Sequence, residues 1–283
     1  MNNLVKLATI GIIFTVINGC STVPITGRSQ LSLVPESQMM SLSLTSYNDF
    51  LKKNPPISSD NVSAKRVAIV GSRIADAVTQ FMADNGMSNR LEGYQWEFKM
   101  IDSKDVNAWC MPGGKVVVYS GLLPVCKDDA GLAIVMGHEI AHAVARHGSE
   151  RMSQQLLIQL GGASLDLALQ QKPETTKLIY EQVFGLGSQV GSLAYSRKHE
   201  YEADELGLIF AAMAGYDPNR AISFWQDMSA NSGGAKPPEF LSTHPSDQNR
   251  IEKLKSLMPK VMKYYKGPPA VIKSKVIQKQ GKN

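Results

Sequence analysis

Residues 128–148 read DDAGLAIVMGHEIAHAVARHG, and their reading decides the fold. Asp128 or Asp129 can cap a helix N-terminus, an apolar run follows, and Gly148 supplies a stop. A helix to about His147 is expected. Inside it, His138-Glu139-Ile140-Ala141-His142 sets two histidines four residues apart. That spacing puts both imidazoles on one helix face, within reach of a single metal ion. Glu139 stands beside the first histidine and can take a proton from water without binding the metal. Zinc with histidine ligands lowers the pKa of water toward about 7, which makes a neighbouring carboxylate an effective base. Leu132, Val135, Met136 and Ala143 give this helix its apolar faces and would keep the site low in dielectric.

Two histidines do not complete a catalytic zinc site, which takes three protein ligands and one open position. The second polar constellation is His199-Glu200-Tyr201-Glu202-Ala203-Asp204, on a helix expected from about Ser196 to Ala214. By spacing alone Glu200 and Glu202 are equivalent candidates for the third ligand. Asp204 suits a different task, accepting the free N–H of a ligand histidine and so fixing its tautomer. Of the other histidines, His147 is expected to face away from the metal and meet the helix dipole. His199 is expected beside the site or exposed. His244 ends a Gly- and Pro-bearing loop, Asn231 to His244, that can fold over the site. It is expected to bind the metal in a closed state, to stabilise the tetrahedral intermediate in an open one, or simply to anchor the loop. Tyr195 and Arg197 are alternative oxyanion stabilisers.

The pair H-E-x-x-H and E-x-x-A-D, some sixty residues apart, resembles the metallopeptidase family of the CAAX prenyl proteases, HtpX and the periplasmic protein BepA. Asn107-Ala108, Pro112-Gly113-Gly114-Lys115, Val118-Tyr119-Ser120-Gly121-Leu122, Tyr195-Ser196-Arg197 and Thr243-His244-Pro245 are similar to further signatures of that family. The resemblance implies Glu200 as the third ligand beside His138 and His142, Glu139 as the base, and Asp204 as the partner of a ligand histidine. It implies one zinc ion per chain and endopeptidase activity on unfolded or misfolded polypeptides. It points to the exported lipoprotein branch of the family, and to quality control of stalled envelope proteins. A chaperone or assembly factor that keeps the zinc site with little hydrolysis is the rival expectation. A purely structural zinc site is a weaker rival, since it has no use for Glu139.

Working outward, Glu36 to Lys53 reads as a helix closed by Asn54-Pro55-Pro56. Val67, Val70, Ile74, Val78 and Phe81 mark a second. The period then changes to alternation at Trp96, Phe98 and Met100, and Asn107 to Met111 and Lys115 to Tyr119 read as two more strands. Either of these is a candidate edge for pairing with an extended substrate. Everything after the sheet reads as helical: two amphipathic helices in residues 149–195, one opening at Asp217-Pro218, and Ser246 to Leu257. The expected class is α+β, a small sheet beside the H-E-x-x-H helix and a helical bundle.

The N-terminus carries Lys6, an apolar run from Leu7 to Ile17, and then Asn18-Gly19-Cys20. The run is short for a membrane span and fits a secretory signal, and the order resembles a bacterial lipoprotein signal acylated at Cys20. The expected organisation is a signal peptide over 1–19, a tether over 20–35, a metallopeptidase domain over 36–258 and a basic tail over 259–283. The expected location is the periplasmic side of the envelope, lipid-anchored and in the outer membrane. The net charge of +5 does not mark a nucleic-acid binder: seven lysines lie in residues 260–283, leaving the remainder at about −2. Export would leave Cys110 and Cys126 in an oxidising compartment, either as a disulfide or as two buried thiols.

Overall fold

The computed structural model describes residues 20–160, 173–184, 195–230, 239–244 and 249–268. The expected signal peptide, the first half of the loop before His244 and most of the basic tail lie outside the described residues. Two strands, β1 (Cys20–Thr22) and β2 (Ser29–Leu31), form an antiparallel hairpin. Helices α1 (Glu36–Lys53) and α2 (Val62–Asp84) follow. The main sheet holds β3 (Glu97–Ile101), β4 (Ala108–Met111) and β5 (Lys115–Tyr119) in the order β3-β5-β4. β5 runs parallel to β3 and antiparallel to β4. After the short α3 (Leu123–Cys126) come α4 (Asp129–Val144), α5 (His147–Leu160) and α6 (Pro173–Phe184). Then follow α7 (Arg197–Met213), α8 (Arg220–Ala230), α9 (Glu239–Thr243) and α10 (Asn249–Val261). The class is α+β. Among the described residues no helix is long and apolar enough to cross a membrane.

Helix α4 is the centre of the molecule. Asp128 caps it, its side chain accepting from the Gly131 amide at 2.7 Å. Every residue from Gly131 to Val144 is buried, because the helix is covered by the sheet, α2 and α7 at once. Its final carbonyls are met by side chains from the loop before β3. Arg90 donates to Val144 and Ala145 at 2.9 and 3.2 Å, and the Tyr94 hydroxyl donates to Ala143 at 3.1 Å. These bonds supply the partners that a buried helix end lacks.

The helix stops three residues earlier than the sequence suggests. Arg146 takes φ +59, the chain turns there, and α5 starts at His147 and runs through Gly148. Gly148 is therefore not a stop. It is the place where Phe184 of α6 comes so close that an added Cβ would lie 2.3 Å from the ring.

α4 crosses α7 at two glycines. A Cβ on Gly137 would lie 2.7 Å from the Gly207 carbonyl oxygen, and one on Gly207 would lie 2.7 Å from the His138 amide nitrogen. The two backbones touch, so the side chains immediately beside the crossing are forced together.

The structure changes one further expectation and decides between alternatives in two others. Residues 20–35, read as a tether, carry the β1–β2 hairpin, with Val23, Gln30 and Val34 buried. Lys115–Tyr119 is the central strand, paired on both sides, so it offers no free edge. β4 pairs with β5 alone among the described strands and lies against α4. Cys110 and Cys126 are separate buried thiols, not a disulfide.

Replacing Gly137 with Ala inserts a methyl between two helix backbones that have no rotamer to yield. Such overpacking costs about 1–3 kcal/mol or more. Urea denaturation should show that loss for Gly137→Ala and for Gly207→Ala.

Candidate metal centre

The Gly137–Gly207 crossing brings His138 and His142 of α4 against Glu200 of α7, and His244 joins them from the end of α9. One donor atom from each of the four lies within 4.8 Å of all the others, and all four residues are buried. The Nε2 atoms of His138 and His142 are 3.0 Å apart. Glu200 reaches them with Oε2 at 3.5 Å and Oε1 at 3.4 Å, and His244 Nδ1 lies 3.1 Å from Glu200 Oε1.

Each ring is held from behind. His138 Nδ1 donates to Asp204 at 3.0 Å, which leaves the neutral ring with its lone pair at Nε2, aimed into the cluster. His142 stacks on Tyr195 at 3.9 Å between ring centroids. His244 stacks on Phe240 at 4.5 Å, and the Phe240 amide is fixed by the Val106 carbonyl at 3.1 Å.

Arg250 was not singled out in the sequence, and it is the cation on which the acidic side depends. It lies fully buried, 3.4 Å over the Trp225 ring, with Nη1 2.9 Å from Glu200 and Nε and Nη2 2.9 and 2.7 Å from Asp204. Nothing in the sequence distinguishes this arginine from other basic residues of an amphipathic helix.

The electrostatics follow from this packing. Burial would raise Glu200, yet His244, His138 and His142 hold it well below the usual carboxylate range. Burial likewise opposes ionisation of Asp204, and Arg250 and His138 outweigh it. Burial lowers His138, but Asp204 and Glu200 raise it to about 9. Burial drives His142 well below its ordinary value. The charge on His138 adds to the effect of burial on His142, whose Nε2 faces it at 3.0 Å.

A metal ion fits this site by the chemistry of its donors. Two imidazole lone pairs and a carboxylate converge on a point where only a cation or a proton can hold them together. Glu139 behaves differently from Glu200. Burial raises its carboxyl, His244 and His138 oppose the shift, and its Oε1 is buried with no hydrogen bond. Its nearest basic atom is His244 Nε2 at 3.4 Å. β4 runs beside it: burial first, and then the charge on Glu139, push the Cys110 thiol well above its ordinary value.

Of the other sequence candidates, Tyr195 lies over the histidines and Arg197 is exposed at the start of α7. His147 corrects its expectation. Because the helix breaks at Arg146, His147 swings inward, is fully buried, and places Nδ1 2.9 Å from His142 Nδ1. Its Nε2 meets Glu202 at 2.9 Å, so Glu202 serves His147 and stands away from the metal donors. His199 stacks on His147 at 4.5 Å and pairs with Glu150 at 3.1 Å.

A helix pair that presents two histidines and a glutamate to one point, with a free carboxylate beside it, defines a metallopeptidase domain. Residues 71–258 match Peptidase family M48, and the chain belongs to that family. It is 38% identical over 191 residues to the mitochondrial metalloendopeptidase OMA1 of Schizosaccharomyces pombe, covering 66% of this chain and 52% of that protein. It is 32% identical over 265 residues to the human mitochondrial metalloendopeptidase OMA1, covering 91% and 50%. It is 31% identical over 212 residues to a putative beta-barrel assembly-enhancing protease of Vibrio cholerae, covering 72% and 41%. The chain thus spans about half the length of the curated relatives it matches, or less.

Replacing Arg250 by Met strands two buried carboxylates. Breaking a buried ion pair from one side costs about 3–5 kcal/mol. The Arg250→Met variant should lose stability by that amount in urea denaturation.

Proposed function

We propose that this chain is a zinc-dependent endopeptidase acting on extended segments of unfolded or misfolded polypeptide. The observation that carries the reading is the pairing of converged donors on His138, His142 and Glu200 with the buried Glu139 carboxylate beside them, whose Oε1 receives no hydrogen bond. When bound, zinc supplies Lewis acidity, polarising a carbonyl and lowering the pKa of water toward about 7. Glu139, whose burial favours proton uptake, takes a proton from the attacking water and returns it to the leaving amine. Asp204 fixes the His138 tautomer, and Arg250 keeps Asp204 ionised and donates to Glu200. β4, with its outer edge unpaired among the described residues, is the strand against which a substrate would extend. Tyr195, whose ring stacks on His142, is the candidate donor to the developing oxyanion.

His244 gives this site a second state. With four protein donors clustered, His244 would occupy the fourth position that a catalytic zinc keeps for its substrate. The arrangement is a closed form, and substrate entry requires His244 to withdraw.

The envelope assignment rests on the N-terminal sequence: a signal peptide over 1–19, acylation of Cys20 and attachment to the periplasmic face of the outer membrane. The name of the Vibrio cholerae relative is consistent with misfolded or stalled envelope proteins, including outer-membrane barrels, as substrates. Mass spectrometry of membrane-extracted protein should find Cys20 diacylated, and Cys20→Ala should move the protein to the soluble fraction.

Casein hydrolysis tests the chemistry. Glu139→Gln should retain one zinc and lose about 10²–10⁴-fold in rate, the usual contribution of a general base. His244→Ala should retain zinc and cleave faster than the unaltered protein. If the unaltered protein and His244→Ala both hold zinc and neither cleaves, the chain is a chaperone with a vestigial site.

A further inference from the structure

Behind the metal centre lies a second buried polar cluster, on the side away from Asp204. It joins His142 to the N-terminal hairpin, which lies more than a hundred residues away in sequence. From the hairpin turn, Arg28 Nε donates to Glu202 Oε2 at 2.7 Å, and its two terminal nitrogens donate to Glu150 at 3.0 and 2.8 Å. The Thr26 hydroxyl donates to the other oxygen of Glu202. Glu202 in turn receives His147 Nε2 at 2.9 Å, and His147 Nδ1 faces His142 Nδ1 at 2.9 Å.

The direction of this chain follows from the donors available. Glu202, an ionised carboxylate, only accepts, so the proton of a neutral His147 sits on Nε2. Its Nδ1 is then a lone pair, and the single proton between the two facing Nδ1 atoms belongs to His142. His142 is left with its lone pair on Nε2, the atom that points at His138 and Glu200. On the far ring Asp204 sets the tautomer of His138 directly. For His142 the same work is done at one remove, by a carboxylate acting through a second imidazole.

The hairpin is built to hold the end of this chain. Ile25 takes φ +69, a conformation that a β-branched residue adopts only when its surroundings impose it. With Gly27 at φ +68, it makes the turn that presents Thr26 and Arg28 to the same carboxylate. Arg90, which caps the end of α4, also reaches the Thr22 carbonyl at 3.4 Å and ties the hairpin to that helix.

We propose that Arg28 is a positioning residue of the metal centre: through Glu202 and His147 it fixes the tautomer and orientation of His142. The hairpin is then a working part of the site and more than a connection into the domain. The inference rests on the reading of His142 as a metal ligand.

The test is a double-mutant cycle on the full mature chain with Arg28→Ala, His147→Ala and the two combined. Zinc affinity is read by competition with a chromogenic chelator, alongside kcat/KM on casein and the melting temperature of the metal-free protein. Loss of a group that orients a metal-ligating histidine typically weakens binding by about 10–100-fold. His147→Ala should fall in that range, and Arg28→Ala should weaken zinc binding by a smaller factor that still exceeds the error of the assay. The combined variant should bind zinc no more weakly than His147→Ala alone, since both changes act on one chain of contacts. Where Arg28→Ala does not fold, Arg28→Lys replaces it in the same cycle, keeping the charge but not the fork that spans both carboxylates. An Arg28 variant that melts lower but binds zinc like the unaltered protein overturns the proposal, and so do multiplicative losses in the combined variant. If the unaltered protein binds no zinc, the metal reading itself fails. If it binds zinc and only the Arg28 result is absent, this inference alone fails.

Discussion

The contact between Gly137 and Gly207 is the constraint on which the rest of the structure depends. Helix axes ordinarily stand 8–10 Å apart, with side chains between the two backbones. Here an added methyl on either glycine would meet the other helix's backbone at 2.7 Å. The site residues sit directly beside this crossing: His138 follows Gly137, and Glu200 and Asp204 lie on the turns of α7 before Gly207. The closeness of the helices lets the side chains of two separate elements reach a common point. The crossing covers one side of α4, the sheet and α2 cover the others, and the burial removes water from the donors.

That burial creates an electrostatic problem which the structure answers with neighbours placed in sequence-distant elements. Five carboxylates, on Glu139, Glu150, Glu200, Glu202 and Asp204, lie buried in or around the centre. Glu200 and Asp204 are matched by Arg250 from α10, and Glu150 and Glu202 by Arg28 from the hairpin. Burial would raise Glu202, but hydrogen bonds from His147, Thr26 and Arg28 hold it down at about 2. Glu139 Oε1 receives no hydrogen bond, and its carboxyl stays raised although His244 and His138 oppose the effect of burial. The group whose burial is not outweighed is the one whose proposed work is to gain and lose a proton.

The parts of this arrangement that were legible in the sequence are those with local periodicity. The strand Lys115–Tyr119 and the helix Glu36–Lys53 are found at the residues where their patterns place them. His138 and His142 share a face because a helix repeats every 3.6 residues. What was not legible depends on contacts between elements. The break at Arg146 requires a positive φ at a residue type that gives no warning of it, and it alone turns His147 inward. The hairpin reads as a loose tether because its polar side chains, Thr26 and Arg28, find partners only at Glu150 and Glu202. Gly137 and Gly207 sit inside helices, where sequence counts a glycine as a weakness, and only the crossing shows their use. Which of the two later strands holds a free edge depends on strand order, which no single strand's pattern records.

The central claim is that one zinc ion is held where His138, His142 and Glu200 converge. X-ray absorption at the zinc edge, on protein purified with its metal, addresses it most directly. The account predicts one zinc per chain in a shell of nitrogen and oxygen only, with the multiple-scattering signature of at least two imidazoles. It also predicts that one imidazole is lost when His142 is replaced by Ala. Sulfur in the shell, which would have to come from Cys110 or another cysteine or methionine, would contradict it. So would a zinc environment unchanged by that substitution.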